Sequence, residues 1–392
     1  MSLRRLSLKG LVIVMPVLWL IAITGCGGGG SNNDNALKKV GPGEGKLNLI
    51  AWAGYVEDPW KSDFQKQTGC KVNAKVGGTS DEMIQLMRTG QYDGVSASGN
   101  ATARLVDGKD VSPVNVDLVP NYKTVFADLK NQPYNTFDGT NYGVPHGRGA
   151  NLLMWRSDKV TPAPTSWDVV LDPAKAAKYK GSITAYDDPI YIADAALYLK
   201  SSQPDLGIDN PYELDAKQFA AATDLLKKQR PNVGEYWSDP LKQISAFTNG
   251  DDLVGTTWQY QYLALKDKGV PVAASPASQG FLPKEGATGW SDTWMISSKA
   301  AHPNCMYKWM DFIVSPKANA EVAQYFGEAP SQSKSCSLTD TKKFCDDYHA
   351  GDPGFWKRVA YWQTPLRECG DSRGAVCKDY NDWVHAWTAI KG

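Results

Sequence analysis

The chain has 392 residues, with 42 Lys and Arg balanced by 42 Asp and Glu, for a formal net charge of zero. That balance argues against a partner recognised through bulk charge, whether nucleic acid or an anionic membrane surface. The length suits two or three compact units, and 14 Trp with 18 Tyr exceed what packing alone requires, so some rings are expected to face a ligand.

The first segment joins a basic stretch, "MSLRRLSLKG", to an apolar run, "LVIVMPVLWLIAIT", that is too short and Pro-interrupted for a spanning helix; it closes on "ITGC". It resembles a bacterial lipoprotein signal peptide, which implies removal of residues 1–25 and acylation of Cys26. "LRRLSLK" is similar to an imperfect twin-arginine box, so the export route stays open. "GGGGSNNDNALKKVGPGEG" predicts a solvated tether over 26–45. No later stretch is long and apolar enough to cross a bilayer. The expected location is the periplasm or the outer face of the cytoplasmic membrane, as a lipid-anchored monomer.

From residue 46 strand and helix patterns alternate. "KLNLIAW" reads as a strand, "DPWKSDFQKQTG" as a helix closed by Gly69, and "CKVNAKV" as a second strand. In "TSDEMIQLMRTG" Thr79 or Ser80 can cap, Glu82 completes a capping box with Thr79, Met83, Leu86 and Met87 share a face, and Gly90 ends the turn. "YDGVSAS" supplies a third strand. This predicts an α/β unit with a largely parallel sheet, whose ligands bind beyond the carboxyl ends of the strands, where Trp52, Tyr55 and Ser98 fall. A second α/β stretch begins near "YGVPHG". It holds the strand "KGSITAYDD", the helix "PIYIADAALYLKSS" with Pro189 in its first turn, the helix "KQFAAATDLLKKQRP", and a strand entering a helix near Trp258. "NCMYKWMDFIVSPKANAEVAQYFG" reads as two amphipathic helices broken at Pro316. The expected organisation is two α/β lobes around a cleft: 46–145 plus 293–335, and 146–292 plus 336–392.

Apart from Cys26, the cysteines are Cys70, Cys305, Cys336, Cys345, Cys369 and Cys377. An exported chain meets oxidising conditions, so an even count predicts disulfides. Short loops favour Cys336 with Cys345 and Cys369 with Cys377, which leaves Cys70 for Cys305 by elimination. A metal site would need CxxC pairs or clustered His, and neither occurs. His146, His302, His349 and His385 are scattered, and there is no HExxH, nucleophile elbow, GxGxxG helix start or P-loop. No catalytic residue, metal or cofactor is expected.

The chain instead offers acids beside aromatics at loop edges: "TAYDDPIY" with Asp187, Asp188 and Tyr191, "GTTWQYQY" with Trp258, and "TGWSDTW" with Trp290, Asp292 and Trp294. Ring faces attract cations, and a carboxylate on a dry wall pairs with an ammonium, so together they specify a cation with a hydrocarbon body. Asp187 or Asp188 can equally cap the following helix, and Trp294 can equally belong to the core.

The blocks "LIAWAGYVEDP", "YDGVSASGN", "SITAYDDPIYIADAAL", "GTTWQ", "PKEGATGWSDTWMI" and "YWQTP", in this order, resemble the spermidine/putrescine-type solute-binding proteins of ABC transporters, with nearest likeness to the YdcS-like branch. The resemblance covers essentially the whole mature chain. It implies a two-lobed type II binding-protein fold, each lobe a mixed, mostly parallel sheet flanked by helices, and delivery of one small ligand to a membrane permease. It also implies ligand contacts at Trp52, Tyr55, Ser98, Asp188, Trp258, Trp290, Asp292 and Gln363, with Asp292 receiving an ammonium and Trp290 stacking on the methylene chain.

Four positions depart from the family pattern. Tyr191 stands where a second acid is usual, Asn100 replaces an aromatic, Glu328 replaces a tyrosine, and Arg148 occupies a site that is often aromatic. The expected ligand is therefore a polyamine or similar organic cation. The alternative is a zwitterionic ω-amino acid such as γ-aminobutyrate, with Arg148 holding its carboxylate unless a lobe-to-lobe salt bridge, for instance with Glu328, engages it. A sensing receptor with the same pocket is the other alternative.

Overall fold

The computed structural model describes residues 37–275, 282–341 and 343–392. The leader, Cys26 and the tether up to residue 36 lie outside the described residues.

The first sheet has the strand order Lys71–Val76, Lys46–Ala51, Gly94–Ala97, Thr293–Ser297, Val111–Ser112, with Val144–Pro145 also paired to Thr293–Ser297. Its first three strands are parallel, and Thr293–Ser297 runs antiparallel to them. Gly94–Ala97 is buried on both faces, as strands covered by helices on each side must be. The helix Trp60–Thr68 buries Trp60 and Phe64 and ends at Gly69, whose φ of 72° suits a residue without a Cβ. The helix Ser80–Arg88 starts on Thr79, whose hydroxyl accepts from Glu82 N at 3.1 Å. The return half of the expected capping box differs: the Glu82 carboxylate accepts at 2.9 Å from Gly78 N, which the chain turns into its reach one residue earlier.

The second sheet repeats the plan in the order Val233–Trp237, Ile183–Tyr186, Val254–Thr257, Leu152–Arg156, Val272–Ser275. Again three strands are parallel, and the next, Leu152–Arg156, is antiparallel. The helices predicted around Pro189, before Arg230, after Trp258 and on either side of Pro316 occur at Ile192–Ser202, Ala216–Gln229, Gln259–Asp267, Pro303–Ile313 and Pro316–Phe326. The last helix, Tyr380–Lys391, packs against Ala216–Gln229.

A third, small sheet joins the two. Its strands are Ala329–Pro330, Gly147–Ala150, Ala287–Trp290 and Val359–Tyr361. Gly147–Ala150 lies in sequence between strands of the first and second sheets, and Ala287–Trp290 leads directly into Thr293–Ser297. The segments crossing between the α/β units are thus hydrogen-bonded to one another.

The three disulfides are Cys70–Cys305, Cys336–Cys345 and Cys369–Cys377, the pairing that loop length and elimination favour. Residues 37–45, assigned above to the tether, are instead docked. Glu44 accepts from Asn304 N and Cys305 N, both at 2.9 Å, in the first turn of Pro303–Ile313, where unpaired N–H groups favour a carboxylate. The Gly41 N–H donates to Asn304 Oδ1 at 2.6 Å. Residues 37–45 thus belong to the packed body rather than to the expected tether.

The Cys70–Cys305 bridge spans 235 residues of sequence, the longest separation of the three disulfides among the described residues. Replacing both cysteines with Ala should lower unfolding free energy by roughly 3–5 kcal/mol, read as a fall in the guanidinium midpoint.

Candidate functional site

Strand ends deliver the site. Trp52 and Tyr55 follow Lys46–Ala51, Ser98 follows Gly94–Ala97, and Trp258 follows Val254–Thr257, while Trp290 ends Ala287–Trp290 and Asp292 lies in the passage to Thr293–Ser297. Trp52, Ser98, Trp258, Trp290, Asp292, Phe326 and Trp362 line one cavity of about 10 Å³, room for about one water. Both α/β units contribute to this wall.

The rings meet edge to face. Trp52 and Trp258 have centroids 5.6 Å apart at 73°, and Trp290 and Phe326 5.4 Å apart at 90°. Trp362 stacks on Tyr186 at 5.6 Å and stands 6.5 Å from Trp258. The indole N–H groups of Trp52, Trp290 and Trp362 are buried without a partner. Gly149 makes room for Trp290: a Cβ there would lie 2.3 Å from the indole.

Asp292 is the acid of this wall. The Tyr55 hydroxyl donates to its Oδ2 at 2.7 Å, and the Ser98 hydroxyl donates to its Oδ1. Burial pushes its pKa up to about 6, against the pull of those two donors. Tyr55 also lies 3.2 Å from Glu328 Oε2. Glu328 is fully buried, and burial together with the Asp292 charge pushes its pKa well above the usual carboxylate range. The phenol has one hydrogen and gives it to Asp292, so a proton on Glu328, which its raised pKa favours, would serve the contact to the phenol oxygen.

His146 closes the far end. Trp294 Nε1–H donates to His146 Nδ1 at 2.9 Å, and burial lowers the ring's pKa to about 3, so the neutral ring carries its proton on Nε2. That nitrogen faces Glu328 Oε1 at 3.4 Å, close but without hydrogen-bond alignment. With the ring neutral it is a weak dipolar contact rather than an ion pair. The chain His146, Glu328, Tyr55, Asp292 ends at the cavity in the Asp292 carboxylate. Trp294, which also packs against Trp309, belongs to the core.

Other expected residues lie elsewhere. Glu328 sits behind Tyr55, off the cavity wall. Asn100 is buried, its Oδ1 accepting from Ser80 Oγ at 2.9 Å. Asp188 is the capping acid, with Oδ1 accepting from Ile190 N at 2.9 Å, and burial raises its pKa to about 7. Its neighbour Asp187 bonds Lys391 at 2.7 Å and Trp387 at 3.1 Å. The Tyr191 hydroxyl accepts from Gln229 at 3.0 Å, in the core. Gln363 faces a separate groove beside Tyr134 and Tyr361.

Arg148 is not available to a ligand carboxylate at this cavity. It donates to Asp128 Oδ2 and to Ala350 O, each at 2.7 Å, under the Trp356 ring at 4.4 Å. Its salt-bridge partner is Asp128 and not Glu328, because its side chain leaves the strand on the opposite side from Trp290. The sequence did not single out Trp362 and Phe326, although they stand in the quoted blocks "YWQTP" and "NCMYKWMDFIVSPKANAEVAQYFG". Among the described residues, no group of three or more His, Cys, Asp or Glu is placed to hold a metal.

A family model described as bacterial extracellular solute-binding protein matches residues 60–350. The putrescine-binding periplasmic protein SpuD of Pseudomonas aeruginosa is 26% identical over 285 residues, covering 70% of this chain and 75% of that protein. The spermidine/putrescine-binding periplasmic protein of Escherichia coli is also 26% identical over 285 residues, covering 72% of this chain and 76% of its own length. Among solved structures, the TpPotD lipoprotein of Treponema pallidum superposes with a TM-score of 0.70 at 17% identity, covering 88% of this chain and 99% of that one. A GABA receptor, Atu4243, gives 0.61 at 18% identity, covering 88% of this chain and 98% of its own.

Two outcomes follow from this geometry. The raised Asp292 pKa makes the folded state bind more protons than the unfolded chain, so its contribution to stability is full below about pH 4 and is lost as pH rises through about 6. Asp292→Asn should remove that loss: relative to the parent, the variant gains roughly 2–3 kcal/mol between pH 4 and pH 7.5, read from paired urea melts. Gly149→Ala should push Trp290 aside, lowering stability by about 1–3 kcal/mol and changing the tryptophan fluorescence.

Proposed function

Because the chain belongs to the bacterial extracellular solute-binding proteins, we propose that it is the lipid-anchored ligand-binding component of an ABC importer and takes a small organic cation into the cavity at Asp292. It is a solute-binding protein and not an enzyme, and it works outside the cytoplasm. The observation that carries the ligand reading is one carboxylate, buried among four indoles and a phenyl ring, whose hydrogen-bond partners among the described residues are two hydroxyls. An ammonium group placed there gains a counter-charge in a low dielectric and the faces of several rings. The names of the relatives, putrescine-binding and spermidine/putrescine-binding, support an amine.

The lobes, 46–145 plus 293–335 and 146–292 plus 336–392, open and close about the segments that cross between the two large sheets, and closure buries the ligand. The lipid anchor at Cys26 follows from "ITGC" and holds the protein near a membrane permease, its delivery partner. With Arg148 committed to Asp128, no described residue on this wall offers a cation to the carboxylate of an ω-amino acid.

A thermal-shift screen of the purified protein against aliphatic and alkylated amines, with neutral sugars as controls, tests this reading. At least one amine should raise the midpoint, and Asp292→Asn should weaken that ligand at least thirtyfold, since its charge would stay buried without a partner (about 2–5 kcal/mol). A midpoint moved by no amine, or an affinity unchanged in the variant, overturns it.

A further inference from the structure

We propose that the cavity is an aromatic cage for a cation carrying one charge on an alkylated nitrogen, of the trimethylammonium kind, in preference to a diamine or triamine. This deepens the reading of the cavity as the ligand site and rests on it.

The ring geometry is that of a box. Trp52 stands at 73° to Trp258, Trp258 at 62° to Trp362, and Trp290 at 90° to Phe326, all bordering the same space. Faces set at steep angles surround a roughly spherical cation from several sides, and the attraction needs no N–H on the ligand. Trp52 and Trp258 come from different α/β units, so the box widens as the units separate, and its capacity is not limited to the present cavity.

Hydrogen-bond chemistry points the same way. A primary ammonium brings three N–H donors, each needing an acceptor once buried. Acceptors on this wall are few. Each Asp292 oxygen already takes one hydroxyl and keeps about one further lone pair, and the Ser98 oxygen is the other side-chain acceptor of the wall among the described residues. The indoles donate only, and those of Trp52, Trp290 and Trp362 are buried without partners. An N-alkylated head carries its charge on C–H surface and leaves no unmatched donor.

Charge counting excludes a second ammonium. Among the described residues Asp292 is the single carboxylate of the wall. Asp188 caps Ile190 and Glu328 bonds Tyr55, and neither lines the cavity. A second buried ammonium would have rings but no counter-ion, and an unpaired buried charge is strongly destabilising.

Isothermal titration calorimetry of the purified protein with tetramethylammonium, choline and putrescine decides. Choline should bind at least tenfold more tightly than putrescine, with tetramethylammonium also binding. Trp258→Ala should lower choline affinity about five- to thirtyfold. Trp290→Leu, which keeps apolar bulk and removes the ring face, should do likewise and guards against a misfolded first variant. Putrescine binding as tightly as choline, or choline affinity unmoved in both variants, overturns the cage and leaves the amine reading standing. Failure of all three amines overturns the cage, and with amines of every other type also silent it overturns the amine reading as well.

Discussion

The hydroxyls of Ser98 and Tyr55 both donate to a carboxylate that is only 3% exposed, and this arrangement keeps a negative charge at Asp292 where burial alone would extinguish it. A phenol has one hydrogen, so Tyr55 can serve one acid as donor. Glu328, the other acid beside it, is pushed by burial and by the Asp292 charge toward its protonated form, the form that can donate to the phenol oxygen. A neutral His146 backs Glu328 and does not compete for the charge. The result is a polarised chain of side chains that ends in one anion facing a wall of rings. A second charge in this space would meet repulsion without solvent to screen it.

The fold supplies these groups from parts of the chain far apart in sequence. Two parallel strands of the first sheet end at Trp52 and Ser98, and the second sheet ends a strand at Trp258. The small joining sheet brings Trp290 and Asp292 between them and admits the indole because Gly149 has no side chain. Family membership and the superpositions agree with this architecture at low identity, which fits a scaffold held by packing and hydrogen bonds rather than by particular surface residues.

Much of this was legible in sequence because it is locally encoded. Caps, glycine stops and the alternation of strand and helix depend on neighbours a few residues apart, and the short-loop disulfides depend on little more. Asp292 and Trp290 could be singled out because an acid flanked by indoles is unusual in any context. What escaped was direction. Arg148 and Gly149 are adjacent, yet one reaches Asp128 under Trp356 and the other abuts Trp290. Trp362 borders the cavity while Gln363 borders a groove. In extended segments one residue of register exchanges faces, and only the pairing of distant strands fixes which face is which. Asp188 was ambiguous for another reason: a short acid before a helix can serve the backbone as well as a ligand, and here the backbone has it.

The charged chain and the joining sheet share their residues' positions. His146 immediately precedes Gly147–Ala150, Glu328 immediately precedes Ala329–Pro330, and Asp292 lies two residues after Ala287–Trp290. Each of three crossing strands thus has one member of the proton-sharing group at its doorstep. A substitution that repacks these strands therefore also displaces an acid or the histidine at their ends, and a substitution of those groups disturbs the strands in turn.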